Sequence, residues 1–216
     1  IIQKKKSESV EYAKGDDSSL SNDIAFKSIP YIKLNHKNGW NLQSIDLLNK
    51  IENTGTPLGE MFRTRNGIAT LKNQIYIFDP ISEDDDYFYL QNGSVYPIEK
   101  GICQEIINPN KLTKVDNINL LRKKAIFPYK YDADNNPALI SIEDFKTEYP
   151  QAFKYLEAKK GILEKRDYKN SNEENWYAYG RNQSLERYNF KLFFPHITPH
   201  LPNYSLSEDE NLLFYN

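Results

Sequence analysis

The aromatic content of this chain constrains its fold more than any other feature. The sequence holds 16 Tyr, 11 Phe and 2 Trp among 216 residues, and each ring that leaves water buries a large apolar area. A packed core can therefore form although the mean hydropathy is −0.73, which argues against an extended disordered polymer. The length fits one large domain or two small ones.

Features that are missing from the sequence exclude several classes of protein. No apolar run approaches the roughly 18 residues of a membrane-spanning helix. Cys103 is the only cysteine, so an internal disulfide or a thiolate metal cluster cannot form, and we expect a reducing, cytoplasmic environment. The chain opens at Ile1 without an initiator Met or the apolar stretch of a signal peptide, and we expect it to be a piece of a longer protein.

The charge is balanced overall but uneven along the chain. The 28 basic and 30 acidic residues give a net charge of −2, which neither favours nor excludes a nucleic-acid partner. Residues 111–131 hold six basic residues against one acidic residue, a local charge of +5. We expect this segment to contact phosphates through Arg122, Lys123 and Lys130; the alternative is an ordinary solvated surface. The other basic residues of the segment are Lys111, Lys114 and Lys124.

The hydrophobic pattern predicts a helix followed by short strands. Asn41 is placed to cap a helix that ends near Gly55. A tight turn at residues 72–74 would join two strands, and Asn92-Gly93 is a strong hairpin signal. The predicted strands are residues 68–71, 75–78, 87–90, 95–98, 124–129 and 192–194.

A second helical region is predicted after the strands. Ser141 and Asp144 have the spacing of a capping box, and Pro150 suits the first turn of the next helix. The order of strands, helices and strands predicts an α+β fold: small, twisted, mostly antiparallel sheets or a barrel-like core, with hairpins and several helices.

No residue cluster indicates a catalytic centre or a metal site. His196 and His200 have an H-x-x-x-H spacing, but Pro195 and Pro199 prevent the helix that would bring both onto one face. Phosphate-binding glycine loops and a nucleophile elbow are absent. We therefore assign no catalytic residue, no metal ligand and no cofactor to this chain.

The first segment with side chains suited to DNA runs from Gly67 to Asn73. Gly67 permits a turn backbone, and Thr70, Lys72 and Asn73 place hydrogen-bond donors at the tip of the predicted hairpin. A two-stranded ribbon of this kind fits the major groove, where its tip can meet base edges or phosphates. The alternative is a plain surface hairpin.

The second such segment runs from Trp176 to Gln183. Aromatic rings alternate with Arg181 and Gln183, whose side chains can pair with the edges of guanine and adenine. Gly180 lets the backbone approach closely, and we expect Tyr179, Arg181 and Gln183 to contact DNA. The alternative is an edge strand that anchors Trp176 in the core, with Arg181 paired to a glutamate at position 173, 174 or 186.

Seven short motifs follow one another along residues 50–200. They are Pro57-Leu58-Gly59, Gly67-Ile68-Ala69-Thr70, Tyr96-Pro97-Ile98-Glu99, Ile126-Phe127-Pro128-Tyr129, Tyr149-Pro150-Gln151-Ala152-Phe153-Lys154-Tyr155-Leu156, Leu163-Glu164-Lys165-Arg166 and Trp176-Tyr177-Ala178-Tyr179-Gly180-Arg181-Asn182-Gln183. In this order the motifs resemble the TaqI-like C-terminal specificity domain, which is found in adenine-specific DNA methyltransferases and in fused type II restriction-modification enzymes of bacteria.

The resemblance implies sequence-specific recognition of double-stranded DNA. In the family, a preceding domain binds S-adenosylmethionine and flips an adenine out of the stack to methylate it, and Ile1-Ile2-Gln3-Lys4-Lys5 is similar to the last strand of that domain. We expect residues 1–40 to be the end of this methyltransferase domain with a linker, and residues 41–216 to be the target recognition domain. The chain lacks the N-P-P-Y type tetrapeptide and the glycine-rich cofactor motif, so we expect it to bind DNA without methylating it.

Two other functions remain open from the sequence. The chain could be a specificity or interaction module that docks a separate modification or nuclease subunit. It could also be a nuclease, for which Glu157 and Lys159 form an E-x-K triplet of a kind that is frequent by chance in a Lys/Glu-rich helix.

Overall fold

The structure, a computed structural model, describes residues 7–13, 25–34, 40, 42, 47, 50–51, 53–115, 117–166, 175–198, 201 and 203–216. The chain divides into two compact units, residues 1–64 and 65–216. Residues 1–5, for which the resemblance implies the last strand of a preceding domain, lie outside the described residues, and so does most of the helix predicted after Asn41. The domain boundary at residue 40 stays a prediction.

The described residues of the smaller unit include a hairpin, a 3-10 helix and a short α-helix, and Leu47, Lys50 and Ile51 are also helical. Strand β1 (Ser9–Tyr12) pairs antiparallel with β2 (Lys27–Pro30), and Ile29 is buried. A 3-10 helix, Tyr31–Lys33, follows β2 directly. The helix α1 (Leu58–Met61) begins after Pro57, whose fixed φ suits the entry to a helix.

The larger unit alternates short strands with helices. Its strands are β3 (Ile77–Phe78), β4 (Ser82–Glu83), β5 (Tyr87–Asn92), β6 (Ser94–Glu99), β7 (Cys103–Ile107), β8 (Lys123–Ile126), β9 (Tyr129–Tyr131), β10 (Pro137–Leu139), β11 (Lys191–Phe193), β12 (Ser205–Ser207) and β13 (Leu213–Phe214). Its α-helices are α2 (Asn73–Tyr76), α3 (Ile142–Glu148), α4 (Pro150–Ala158) and α5 (Lys160–Leu163). Its 3-10 helices are Lys100–Ile102, Pro109–Thr113 and Ile118–Leu121.

The strands of the larger unit form small, mostly antiparallel sheets. A four-stranded sheet has the order β13-β7-β8-β3, in which β13 and β7 are parallel. A three-stranded sheet has the order β4-β5-β6, and β9–β10 and β11–β12 form two further antiparallel pairs. The α+β prediction is confirmed, and none of the described sheets closes into a barrel.

Tyrosines are the largest fully buried side chains of the core, and four of them, Tyr76, Tyr155, Tyr177 and Tyr179, each donate the phenol proton to a backbone carbonyl. A buried hydroxyl without an acceptor would be costly, so these bonds make the aromatic content compatible with a dry core. The rings of Tyr76 and Tyr179 meet edge to face at 5.1 Å. The bonds run from Tyr76 to Tyr177 at 3.0 Å, from Tyr155 to Ile75 at 2.8 Å, from Tyr177 to Ile140 and from Tyr179 to Ile126 at 2.7 Å.

The helix starts in the larger unit follow from local chemistry. The Ser141 hydroxyl accepts a hydrogen bond from the Asp144 N–H at 3.1 Å, which confirms the predicted cap of α3. Pro150 is the first residue of α4, also as predicted. The Glu99 carboxylate, from β6, accepts from the free N–H groups of Gln151 and Ala152 at 2.7 and 2.8 Å, so a distant acid caps this helix.

One predicted hairpin is confirmed and the other is wrong. Strands β5 and β6 pair around Gly93, which has a φ of +80° and thus needs the freedom of glycine. At residues 72–74 the chain instead enters α2. Ile68 and Ala69 form single bridges to Tyr215 and Arg181, and not to the residues that follow the turn.

In the part of the chain that the structure describes, no helix has the length and apolar character needed to cross a bilayer.

Candidate functional site

The two segments that the sequence singled out for DNA contact lie side by side in the structure. The Arg181 N–H donates to the Ala69 carbonyl at 3.1 Å, and the Gly180 N–H donates to the Thr70 carbonyl at 3.1 Å. The Gln183 side-chain amide donates to the Gly67 carbonyl at 2.9 Å, across 116 positions of sequence. These three bonds align the segments along one surface.

An open cleft of about 440 Å³ lies along this junction. Its polar lining is almost entirely carboxamide, a group that both donates and accepts hydrogen bonds. Carboxamides therefore suit a ligand edge that presents donors and acceptors together. We call the site the amide cleft; its polar lining residues are Asn66, Lys72, Asn73, Gln74, Gln183 and Asn216.

A local turn places the lysine and the asparagine of the first segment at the cleft. The Thr70 hydroxyl accepts from the Lys72 N–H at 3.0 Å and donates to the Asn73 carboxamide oxygen at 2.6 Å. Between them Leu71 has a φ of +57°, a left-handed conformation that is uncommon for leucine. The turn sends the chain directly into α2, and this is the physical reason why the predicted hairpin does not form.

Two glycines permit the close packing behind the cleft. A Cβ on Gly180 would lie 2.8 Å from the Leu71 Cβ, with other side-chain atoms nearer. A Cβ on Gly67 would lie 2.6 Å from the Phe214 carbonyl carbon and 2.7 Å from the Tyr215 Cα. Neither glycine can take a side chain without a shift of its neighbours. Gly180 is therefore required by the approach of Leu71.

A buried arginine fixes the backbone beneath the cleft. Arg166 donates to the carbonyl of Leu163 at 2.8 Å, of Thr70 at 3.0 Å and of Trp176 at 2.7 Å. Its guanidinium also lies 5.8 Å from the ring centroid of Tyr76. One side chain thus joins α5, the turn before α2 and the aromatic segment.

Two of the residues predicted to contact DNA are fully buried and cannot reach a ligand. Thr70 and Tyr179 are both 0 % exposed, and their hydroxyls bond to Asn73 and to the Ile126 carbonyl. The Tyr179 N–H also donates to the Tyr129 hydroxyl at 2.8 Å. We correct the sequence-based assignment for these two residues, because their polar groups are used inside the protein.

The other four residues that were predicted to contact DNA from these two segments lie at the cleft or at its rim. Lys72, Asn73 and Gln183 line it, and Arg181 is exposed beside it. No described carboxylate pairs with Lys72 or Arg181. Two of the three glutamates considered as partners of Arg181, at positions 173 and 174, lie outside the described residues.

The basic segment at residues 111–131 is largely neutralised by the fold. Arg122 pairs with Glu105 and with Asp209, the latter at 2.9 Å, and Lys124 pairs with Glu105 at 2.9 Å. Lys123 pairs with Asp79, and Lys130 with Glu148 at 2.6 Å. The acids come from other parts of the sequence, so the local charge of +5 does not become a local surface charge.

The pKa shifts reflect the same ion pairs. Partial burial opposes ionisation of Glu105, but hydrogen bonds from Lys124 and Arg122 hold its pKa below the ordinary value. A hydrogen bond to Glu148 raises the pKa of Lys130. The three cations predicted to contact phosphates, Arg122, Lys123 and Lys130, therefore already have anionic partners.

The described residues contain no group of three or more His, Cys, Asp and Glu side chains that could hold a metal ion. Asp84, between β4 and β5, accepts hydrogen bonds from the Tyr89 hydroxyl and from the N–H groups of Asp86 and Tyr87, which lower its pKa. Lys159, of the E-x-K triplet, donates to the Asn92 carbonyl at 3.1 Å. Both side chains have structural roles.

Several residues of the site were not selected from the sequence. Asn66, Gln74 and Asn216 line the cleft, yet each looks like an ordinary polar residue of a loop or terminus. Arg166 ends one of the motifs that carry the resemblance, but the motif does not indicate that its side chain is buried. No local signal could have identified these residues, because their positions depend on contacts between distant segments.

Comparison of the chain with models of known protein families and with curated protein sequences finds no match.

Proposed function

We propose that this chain is a target recognition domain that binds duplex DNA and reads its sequence with the side chains around the amide cleft. The observation that carries the proposal is the junction at Ala69 and Arg181, where the two segments chosen from sequence for base contact come together. Gln183, hydrogen-bonded to Gly67, lies on the same surface.

The side chains at the cleft match the hydrogen-bonding groups of base edges. A carboxamide can pair with the N6 and N7 groups of adenine, and an arginine with the O6 and N7 groups of guanine. Asn73, Gln74 and Gln183 supply the carboxamides that can pair with adenine, and exposed Arg181 supplies the guanidinium that can pair with guanine. Lys72 and Arg181 are also free of described carboxylate partners, so they can contact phosphates.

The resemblance of the sequence motifs extends the proposal to the parent protein. We infer a preceding methyltransferase domain in the same chain, which binds S-adenosylmethionine and methylates adenine within the recognised site. Such a restriction-modification protein acts in the cytoplasm. In this proposal the chain recognises the DNA site, and the preceding domain transfers the methyl group.

A second candidate function is docking to a separate modification or nuclease subunit. The observation that favours it is an exposed apolar face on the β11–β12 pair. Leu192 lies opposite Leu206 in the register, and Phe193, which points the other way, is buried. The exposed members of the face are Phe190, Leu192, Phe194, Tyr204 and Leu206. Co-purification with a methyltransferase chain would support this function.

A nuclease is less well supported than either. Lys159 is engaged with the Asn92 carbonyl and lies over the rings of Tyr96 and Tyr155. The described residues bring no three acids together around a metal site.

The proposed DNA binding is tested by fluorescence anisotropy with a labelled duplex, comparing wild type with Arg181→Ala. The matched control is Lys154→Ala, which removes an exposed cation from α4, away from the cleft lining. We expect Arg181→Ala to weaken binding and Lys154→Ala to leave it unchanged. Equal affinities for all three proteins would contradict a contact at the amide cleft.

A further inference from the structure

A second cleft, of about 330 Å³, lies at a different place in the larger unit. Its volume is at the lower end of the range for small-molecule sites. Aromatic rings and two cations line it, including Tyr131, Tyr149, Lys130 and Arg187. It shares no lining residue with the amide cleft.

Two aromatic rings stack at this cleft, and a guanidinium lies over one of them. The rings of Phe127 and Tyr131 are nearly parallel, with an interplanar angle of 21° and centroids 5.8 Å apart. The guanidinium carbon of Arg187 lies 3.9 Å from the centroid of the Tyr131 ring. Aromatic rings and guanidinium planes are groups on which planar nucleobases stack.

The charge of Arg187 is not balanced within the described protein. No described carboxylate forms an ion pair with it, and its Nε is buried without a hydrogen-bond partner. By contrast, Arg122 has two carboxylates and Arg166 has three carbonyls. A partly buried cation without an anion is unfavourable, so this site favours an anionic ligand.

Other lining groups limit what that ligand can be. Tyr149 is half-buried and packs against Gly101, where an added Cβ would lie 3.2 Å from its ring. Lys130 is exposed at the cleft and adds a second cation; both members of its ion pair with Glu148 are exposed, so the pair is weak and a phosphate held in the cleft can compete with Glu148. Gln104 adds a carboxamide. A ligand that combines a planar ring, hydrogen-bonding edges and a negative charge satisfies all of these groups.

We propose that this second cleft binds one nucleotide, with its base against Arg187 and Tyr149 and its phosphate near Arg187 and Lys130. The site goes beyond duplex recognition at the amide cleft, because a base inside a duplex has no free face to stack. The nucleotide comes either free from solution or from an unpaired position of a strand.

The test is calorimetric titration of the 216-residue chain with the four deoxynucleoside monophosphates, one at a time. Inorganic phosphate and deoxyadenosine, titrated separately, measure how much the phosphate and the nucleoside each contribute to the affinity. A single-stranded hexanucleotide tests the strand as the source. We expect at least one monophosphate, or the hexanucleotide, to bind at least tenfold more tightly than phosphate or deoxyadenosine alone. If no monophosphate and no hexanucleotide binds more tightly than phosphate or deoxyadenosine alone, the proposal is wrong.

Variants at the cleft assign the binding to it. Arg187→Gln should weaken nucleotide binding at least tenfold, and Arg187→Lys, which keeps the charge but loses the planar stack, should weaken it less. Lys130→Gln changes an exposed residue and should weaken binding several-fold, so it serves if the Arg187 variants unfold. Lys111→Gln, also at an exposed position, should have no effect. Unchanged binding by folded Arg187→Gln or by Lys130→Gln would overturn the assignment.

Discussion

The guanidinium of Arg166 donates a hydrogen bond to the Thr70 carbonyl over 3.0 Å and so ties the helical region to the amide cleft. The same carbonyl accepts from the Gly180 N–H at 3.1 Å. The position of the Thr70 backbone is thus set from two sides, by a side chain and by the neighbouring segment. A cleft whose wall is fixed in this way can hold its carboxamides in place before a ligand binds.

We expect Arg166→Met to lower the free energy of unfolding by about 3 kcal/mol, because it leaves buried carbonyls without donors. Urea unfolding followed by tyrosine fluorescence measures the change. Lys165→Met is the matched control, since Lys165 is the exposed neighbour, and should change stability by less than about 0.5 kcal/mol. Equal effects of the two substitutions would show that the carbonyl bonds of Arg166 do not stabilise the fold.

We expect opposite effects of the same substitution at two glycines. Gly67→Ala places a Cβ against the backbone of Phe214 and Tyr215 and should destabilise by about 2 kcal/mol or more. Gly161→Ala lies in α5 with no atom within 4 Å of the new Cβ, and should stabilise by up to about 1 kcal/mol because alanine favours helix. Thermal unfolding of both variants gives the comparison. A stabilised Gly67→Ala protein would contradict the close packing of Gly67 against β13.

Stability should fall at alkaline pH. Burial raises the pKa of Tyr155 and of Tyr177 to about 12, from an ordinary value of 10.0. Between pH 10 and 12 the unfolded chain therefore loses phenolic protons that the folded protein keeps, and this favours unfolding. Each such phenol lowers the free energy of unfolding by about 1.4 kcal/mol per pH unit in that window.

Urea unfolding between pH 7 and pH 11.5 measures this dependence. We expect little contribution from these phenols below pH 9 and a steep decline above pH 10. Tyr204→Phe, at an exposed position, should leave the decline unchanged and serves as the control. Stability that stays constant up to pH 11.5 would contradict the burial of the phenols.

The salt dependence of DNA binding distinguishes the amide cleft from the basic segment. If Lys72 and Arg181 make the phosphate contacts, the logarithm of the binding constant should fall with the logarithm of salt concentration with a slope of about −2. Arg122→Ala should leave that slope unchanged, because Arg122 is paired with Glu105 and Asp209. A slope near −5 that Arg122→Ala makes shallower would instead assign the contacts to the basic segment.

The sequence predicted those parts of the fold that depend on neighbouring residues. The cap at Ser141, the proline at the start of α4 and the turn at Gly93 each follow from a few adjacent side chains. The turn at Thr70 was missed because its hydroxyl bonds within the chain, where strand propensity alone favours a hairpin.

The candidate site could be predicted only in part, for the same reason. Arg181 and Gln183 are recognisable from their chemistry, but their junction with Gly67 and Ala69 depends on contacts between distant segments. The local charge of residues 111–131 suggested phosphate contacts, but the acidic partners of Arg122 lie 17 and 87 positions away in the sequence. Counting charges along a sequence cannot include such partners.

Selection from a pool of randomised duplexes tests most directly whether the amide cleft reads DNA sequence. The chain is incubated with the pool at about 50 mM salt, where phosphate contacts contribute most, and bound duplexes are recovered and sequenced. We expect wild type to enrich one short motif, and Arg181→Ala to lose preference at one base pair of it while remaining folded. Recovery of duplexes without any enriched motif, or an unchanged motif with Arg181→Ala and with Gln183→Ala, would contradict sequence reading at this cleft.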